Sequence, residues 1–370
     1  MKGAVIVSKG LEETASLEIK ELIGGTPLSK ERVVIFDIKK LEDLCTLCYK
    51  TQSASRVLLL LDNFKSKDIL EVIEEKINDL DIKKWNKGTF SVECERFGSH
   101  DFNSVDVERA VSDLIFSKTQ QKVNLKNPDT TFFVFIYNDD CYLGVDLAGF
   151  DLSKREYRIF IHPTSLKGNL AYAMLREADY KKEDLIVDPF CSSGEIPIEA
   201  ALFKTGRSPN YYRKDKFAFL KFINFDFSKS DKLIREGTDR TIFGYSSLLK
   251  YVKSSQKNAK IAGINKEINF SKIAVDWLDI KFKDTAVDKI VGLFPSYSVR
   301  RAQKDIDKTY AELFNRAAII LNSEGKICAA LRNKIPEEVY KREGFCLVKE
   351  KEMFSGEQKY HIFIFEKQKP

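Results

Sequence analysis

At 370 residues, with 43% hydrophobic and 31% charged residues, the chain is long enough for two or three domains with sizeable cores and a well-solvated surface. The 61 Lys plus Arg against 55 Asp plus Glu leave a formal net charge of +6, which permits a polyanionic partner without naming one. The longest aliphatic run, Val57 to Leu61, is far short of the roughly 20 apolar residues that cross a bilayer, which excludes a transmembrane helix.

The N-terminus turns acidic before any long apolar stretch appears, so no secretory signal is read there. Seven scattered cysteines do not suggest a disulfide framework, and the expected setting is reducing and cytoplasmic, with no membrane partner. In chain order, Ala4 to Val7 reads as a strand, and a helix with Leu11, Ile19 and Leu22 stops at Gly24-Gly25. A strand over Val33 to Ile38, a helix over Leu41 to Ser53 and a strand over Arg56 to Leu61 complete a small α+β unit. A helix through Ile69, Val72, Ile73, Ile77 and Leu80 then precedes the alternating strand Thr89 to Glu95. Another helix (Val107, Val111, Leu114, Ile115) is followed by the strands Thr131 to Tyr137 and Cys141 to Asp146, joined by the turn Asn138-Asp139-Asp140.

After Pro163 the pattern changes. A helix (Leu166, Leu170, Ala173, Met174) leads to the apolar strand Leu185 to Val187, and strand, short loop and helix then recur to about residue 335. Continuously apolar strands such as Lys289 to Phe294 and Lys326 to Leu331, alternating with amphipathic helices, imply a parallel sheet covered on both faces. Between them Tyr310, Leu313, Phe314, Ala317, Ala318 and Leu321 fall on one helical stripe. Gly344 to Lys349 and His361 to Lys367 read as a hairpin-like pair.

Three segments carry candidate chemistry. In Leu185-Ile-Val-Asp188-Pro189-Phe-Cys191-Ser-Ser193-Gly194-Glu195, an apolar strand ends in an acid, passes a small-residue loop and enters a helix whose free N–H groups face the loop, which suits a nucleotide-like or carboxylate-bearing ligand. In Lys289 to Tyr297 a strand ends in Phe294-Pro295-Ser296-Tyr297, a rigid turn able to present a carbonyl and a stacking ring to a flat base. Phe203 to Phe222 interleaves bases with aromatics: Arg207, Tyr211, Tyr212, Arg213, Lys214 and Lys216 are of the types that neutralise phosphate and stack on bases. Arg300 and Arg301 add charge after the Pro-Ser-Tyr turn. Cys45 and Cys48 have no second pair to complete a metal site and read as packing; no metal is expected. The three histidines are far apart in sequence and support no triad.

Phe90-Ser-Val-Glu-Cys-Glu-Arg96-Phe-Gly98-Ser-His100-Asp-Phe102-Asn-Ser104-Val-Asp-Val-Glu108-Arg109 resembles the signature segment of the THUMP domain, and Asp146 to Arg158, with Arg155, resembles its C-terminal end. Asp188-Pro-Phe-Cys, Ile198 to Leu202 and Asn258 to Gly263 resemble segments of the Rossmann-fold RNA methyltransferases that carry that domain, closest to the tRNA guanine-N2 methyltransferases. The resemblance implies an α/β fold with a ferredoxin-like domain over 1–60, a THUMP RNA-binding domain over 61–157 and a methyltransferase domain with a mostly parallel seven-stranded sheet over 158–370. It further implies S-adenosylmethionine held by Asp188, Pro189, Cys191, Ser193, Gly194, Ser246 and Asp276. Methyl transfer would occur at Phe294-Pro295-Ser296-Tyr297, and tRNA, with its acceptor stem at the sheet edge, would be gripped by Arg96, His100, Arg155, Arg158 and the bases already named.

The sequence departs from the family pattern. Phe294 stands where an Asn or Asp accepts a hydrogen bond from the amine, Ser296 replaces a Pro, Ser192 replaces a Gly, Glu195 replaces a Thr near the methionine carboxylate, and Ser246 stands where an acid meets the ribose. These changes keep a second expectation open, an RNA-binding relative that has lost cofactor binding and catalysis. DNA is not an expected substrate, because the DNA amino-methyltransferases have no such RNA-binding module.

Overall fold

The computed structural model describes residues 1–235, 240–296, 303–332 and 335–368. The chain divides into two compact units, one built from Met1–Val7, Ala15–Leu152 and Asn210–Ser230, the other from Ser8–Thr14, Ser153–Pro209 and Asp231–Pro370.

In the first unit, β1 (Lys2–Ile6), β2 (Pro27–Lys30), β3 (Val33–Asp37), β4 (Arg56–Lys65), β5 (Phe90–Phe97), β6 (Thr130–Tyr137) and β7 (Asp140–Asp146) form a single sheet in the order β2-β3-β1-β4-β7-β6-β5. The pairing of β4 with both β1 and β7 joins the stretches 1–60 and 61–157 through one hydrogen-bonded sheet. Its helices are α1 (Glu12–Ile23), α2 (Leu41–Lys50), α3 (Ile69–Asp79), α4 (Ile82–Trp85) and α5 (Ser104–Thr119). Phe132 to Ile136 on β6 are buried on both faces, as their unbroken apolar run requires. Buried polar groups tie the elements together. The Glu18 carboxylate of α1 accepts from the Thr51 and Ser53 hydroxyls and from the N–H groups of Gln52 and Ser53, and Arg56 bridges Asp146 at 2.6 Å and Glu93 at 2.9 Å. Asn103 caps α5 by accepting from the Val105 and Asp106 N–H groups, while Asp106 accepts from the Asn103 N–H.

In the second unit, α6 (Gly168–Glu177), β8 (Ile186–Asp188) and α7 (Glu195–Thr205) come first; the short α8 (Phe227–Asp231) follows in the chain, its first four residues belonging to the first unit's stretch Asn210–Ser230. Then come β9 (Ile242–Ser246), α9 (Leu249–Ala262), β10 (Ile268–Lys272), β11 (Val287–Leu293), α10 (Gln303–Ile320), β12 (Leu321–Leu331), α11 (Glu337–Lys341), β13 (Phe345–Ser355) and β14 (Gln358–Lys367). The sheet order is β10-β9-β8-β11-β12-β14-β13, with β8 to β12 parallel and β14 antiparallel to β12. The chain winds outward from β8 to β10 and then returns to place β11 on the other side of β8. That reversal opens a crevice at the carboxyl ends of β8 and β11, where ligands bind in open α/β sheets. The expected stripe on α10 is buried: Tyr310, Leu313, Phe314 and Ala317 pack with Phe345, Phe363 and Phe365.

Two expectations change. Asn210–Ser230 folds with the first unit, and two of its rings, Phe217 and Phe219, serve as core. Phe217 and Phe219 are buried and stack on each other at 4.8 Å, and Tyr49 packs on Phe217 and Phe227. Arg155 likewise turns inward, with its side chain 1% exposed. It donates to both carboxylate oxygens of buried Glu199, at 2.8 and 3.2 Å, and the Tyr157 hydroxyl donates to the same carboxylate at 2.7 Å. Arg155 is therefore a scaffold residue and not the RNA contact expected. Gly168 permits this packing, because a Cβ there would lie 2.4 Å from Glu199 Oε1 and 2.8 Å from Arg155 Cγ. Glu199→Ala would strand a buried guanidinium and is expected to cost about 3 to 5 kcal/mol, read as a lower urea midpoint.

Candidate functional site

The loop after β8 is built from the inside outward. Asp188 is buried, its Oδ1 accepts the Phe190 N–H at 3.1 Å, and no cationic side chain pairs with it among the described residues. Burial, reinforced by the nearby charge of Glu195, pushes its carboxyl well above the ordinary range. The Cys191 N–H donates to the Tyr245 carbonyl at 2.8 Å, fixing the loop to the end of β9. Gly194 takes a φ of +89° at the start of α7, with a Cβ-equivalent position only 3.0 Å from Ser255 Cβ, so that turn needs glycine on two counts.

A strap over residues 158–165 lies against this loop. Asn258 on α9 accepts the Phe160 N–H at 3.0 Å and donates to the carbonyls of Phe160 at 3.1 Å and Ser193 at 2.9 Å. Thr164 and Ser192 share a hydroxyl hydrogen bond of 2.8 Å, and Ser165 pairs with Ser193. Arg158 Nε donates to Glu195 at 3.3 Å. The repulsion expected between Glu195 and an anionic ligand at the α7 N-terminus is thus met by a cation, and Arg158 belongs to the loop. Burial raises the Glu195 carboxyl to about 7, opposed by Arg158.

The neighbouring loops reach the same edge. Ser246 ends β9, buried, its Oγ accepting the Leu248 N–H at 3.3 Å. Asp276 is exposed in the 3-10 turn Val275–Trp277 after β10. At the end of β11, Phe294 is 1% exposed and packs edge-on against Phe190 at 5.2 Å, so its ring supports the crevice wall and does not face a substrate. The Pro295 carbonyl accepts from the Tyr310 hydroxyl. Ser296 follows, half-buried, while Tyr297, Arg300 and Arg301 lie outside the described residues.

The remaining basic candidates are dispersed. Arg96 donates to His100 Nδ1 at 3.1 Å, which assigns the proton to Nε2, whose partner is the Asn138 carbonyl at 2.8 Å. Arg207 donates to the Gly263 carbonyl at 3.2 Å, Arg213 lies 3.6 Å above the Phe150 ring, and Lys214 lies 4.1 Å above Tyr211. Tyr212 and Lys216 are exposed. Sequence reasoning missed the hydroxyls of Thr164, Ser165 and Ser255 and the role of Tyr310. No local motif marks them, because each meets the loop only through tertiary packing.

Residues 155–361 match the RMKL-like methyltransferase domain (UPF0020), and residues 67–146 match the THUMP domain. The chain is 30% identical over 341 residues to a tRNA (guanine(6)-N2)-methyltransferase of Methanocaldococcus jannaschii, covering 87% of this chain and 88% of that one. It is 29% identical over 274 residues to the protein of the same name from Archaeoglobus fulgidus, covering 71% and 67%. Among solved structures, SMU.472 complexed with S-adenosylhomocysteine superposes with a TM-score of 0.81 at 19% identity, covering 100% of this chain and 98% of that one, a likeness of fold.

The raised Glu195 carboxyl makes stability depend on pH. The folded state holds this proton more tightly than the unfolded chain, so the contribution favours folding at low pH and is lost as pH rises from about 4.5 towards 7. Glu195→Gln is expected to flatten the fall in unfolding free energy across that window by an amount on the order of 3 kcal/mol, measured by urea titration at both ends.

Proposed function

The chain belongs to the RMKL-like methyltransferase family and carries a THUMP domain, and on that premise we propose that it methylates the exocyclic N2 of a guanine in tRNA, using S-adenosylmethionine. The observation that carries this reading is the buried Asp188 carboxylate at the switch point, with no cationic side-chain partner among the described residues. A buried acid of this kind suits the ammonium of an amino-acid moiety. Asp188 would hold that amine, the free N–H groups at the start of α7 the carboxylate, and Ser246 and Asp276 the nucleoside end. The THUMP-matched region would grip the tRNA and direct its acceptor stem to the sheet edge. All seven cysteines are free thiols, which suits a cytoplasmic protein.

When bound, the cofactor would supply an electrophilic methyl group on a sulfonium: a bond from the amine nitrogen to that carbon would form as the C–S bond breaks, the neutral thioether would leave, and the amine proton would pass to solvent. The protein's part is orientation, the largest lever available without a base. The Pro295 carbonyl would accept one amine hydrogen and Tyr297 would stack on the guanine. Tyr310, buried and hydrogen-bonded to Pro295, positions that carbonyl. The reading as a non-catalytic RNA binder rested partly on repulsion at Glu195, which Arg158 answers.

The test is transfer of labelled methyl groups to bulk tRNA, with nucleoside analysis for N2-methylguanosine and duplex DNA as a control substrate. Asp188→Ala is expected to weaken S-adenosylmethionine binding about 10- to 100-fold, from roughly 1 to 3 kcal/mol for a lost buried interaction. Tyr310→Phe is expected to lower kcat several-fold with little change in KM for tRNA. Retained tRNA binding without any methyl incorporation would restore the non-catalytic reading.

A further inference from the structure

We propose that the solvent face of α9 binds the phosphate backbone of the RNA substrate, an inference that rests on the reading of the chain as a tRNA methyltransferase and names a surface of the second unit that grips that RNA. α9 contains Lys250, Lys253, Lys257 and Lys260 and neither Asp nor Glu. Steps of three, four and three residues return to one face of a helix, and all four lysines are exposed while Val252, Ser255, Asn258, Ala259 and Ala262 are buried opposite them. Like charges at three- and four-residue spacing destabilise a helix. No ion pair relieves them among the described residues. An anionic partner would.

The neighbours of the stripe indicate which anion. Lys257 Nζ lies 4.6 Å from the Phe160 ring centroid and Lys250 Nζ 5.2 Å from that of Tyr251, whose ring contacts His162 at 4.3 Å. Ile159, Phe160 and Ile161 of the strap are 62%, 38% and 57% exposed beside them. Cations interleaved with exposed rings are the combination that neutralises phosphates and stacks bases. The stretch 210–222, which has the same composition, keeps Phe217 and Phe219 in the core and exposes Tyr212. The inner face of α9 also holds the loop that follows Asp188, through Asn258 and Ser255. RNA lying along the outer face would therefore pass close to the methyl donor.

The experiment uses the full chain carrying K250Q, K253Q, K257Q and K260Q together; Gln keeps helix propensity while removing charge. Binding of bulk tRNA is followed by anisotropy from about 50 to 300 mM salt. Each lost phosphate contact removes roughly 0.7 to 0.9 from the slope of log affinity against log salt, so the quadruple variant is expected to lose about 3 from that slope. At low salt its affinity is expected to fall at least tenfold, with S-adenosylmethionine affinity unchanged and a thermal midpoint no lower than that of the wild type, because the repulsion along the helix is relieved. The single variants K253Q and K257Q guard against misfolding, each losing slightly less than 1. An unchanged slope in a variant of a wild-type chain that does bind and methylate tRNA overturns this surface alone and leaves the stripe to an acidic protein. A wild-type chain that neither binds nor methylates tRNA overturns the functional reading as well.

Discussion

One carboxamide holds the site together. Asn258 meets Phe160 through both its oxygen and its nitrogen, as a neighbouring strand would, and the same nitrogen reaches the carbonyl of Ser193. Strap and ligand loop are therefore fixed to one helix by one buried side chain. Leaving such groups unpaired costs about 1 to 3 kcal/mol each, so the two segments are coupled and neither is free to move alone. Ser255, three residues earlier on the same face, adds contacts to Cys191 and to the Ser192 carbonyl. Gly194 completes the arrangement by letting the loop pass against Ser255 without a side chain in between.

That packing also settles the electrostatics. Asp188 and Glu195 are two buried acids flanking one short loop, and the charge of Glu195 adds to the cost of ionising Asp188. The strap brings Arg158 to Glu195, while among the described residues no cationic side chain pairs with Asp188. The two acids are held differently: Glu195 is paired with Arg158, and Asp188 accepts the Phe190 N–H. Glu195 is then a structural partner of Arg158, and the strap contributes charge as well as shape.

How much of this was legible in the sequence depended on distance along the chain. The loop from Asp188 to Glu195 was readable because its parts are consecutive, and α10 because its apolar stripe runs over several turns. β2 was missed: it is four residues long, begins with Pro and is mostly exposed, so it carries no alternation to detect. The strap was missed as a device because Phe160 and Asn258 are 98 residues apart. Residues 210–222 misled for a different reason. Composition cannot say whether a ring faces solvent or core, and Phe217 and Phe219, at 2% and 0% exposure, face the core.

Phe294 poses the remaining chemical question, since a phenyl ring cannot accept a hydrogen bond from an amine. Its burial against Phe190 shows what it supplies instead: a wall that fixes the direction in which the chain leaves β11. The next acceptor along the chain is the Pro295 carbonyl, already held by the Tyr310 hydroxyl and still possessing a second lone pair. In the proposed reaction the attacking nitrogen would be a weak nucleophile whose proton becomes acidic only as the new bond forms. Orientation therefore matters more than deprotonation, and a fixed carbonyl can supply it. Under the proposed function, a Phe in place of the polar side chain would remove one of two guides for the amine and would slow the reaction without forbidding it.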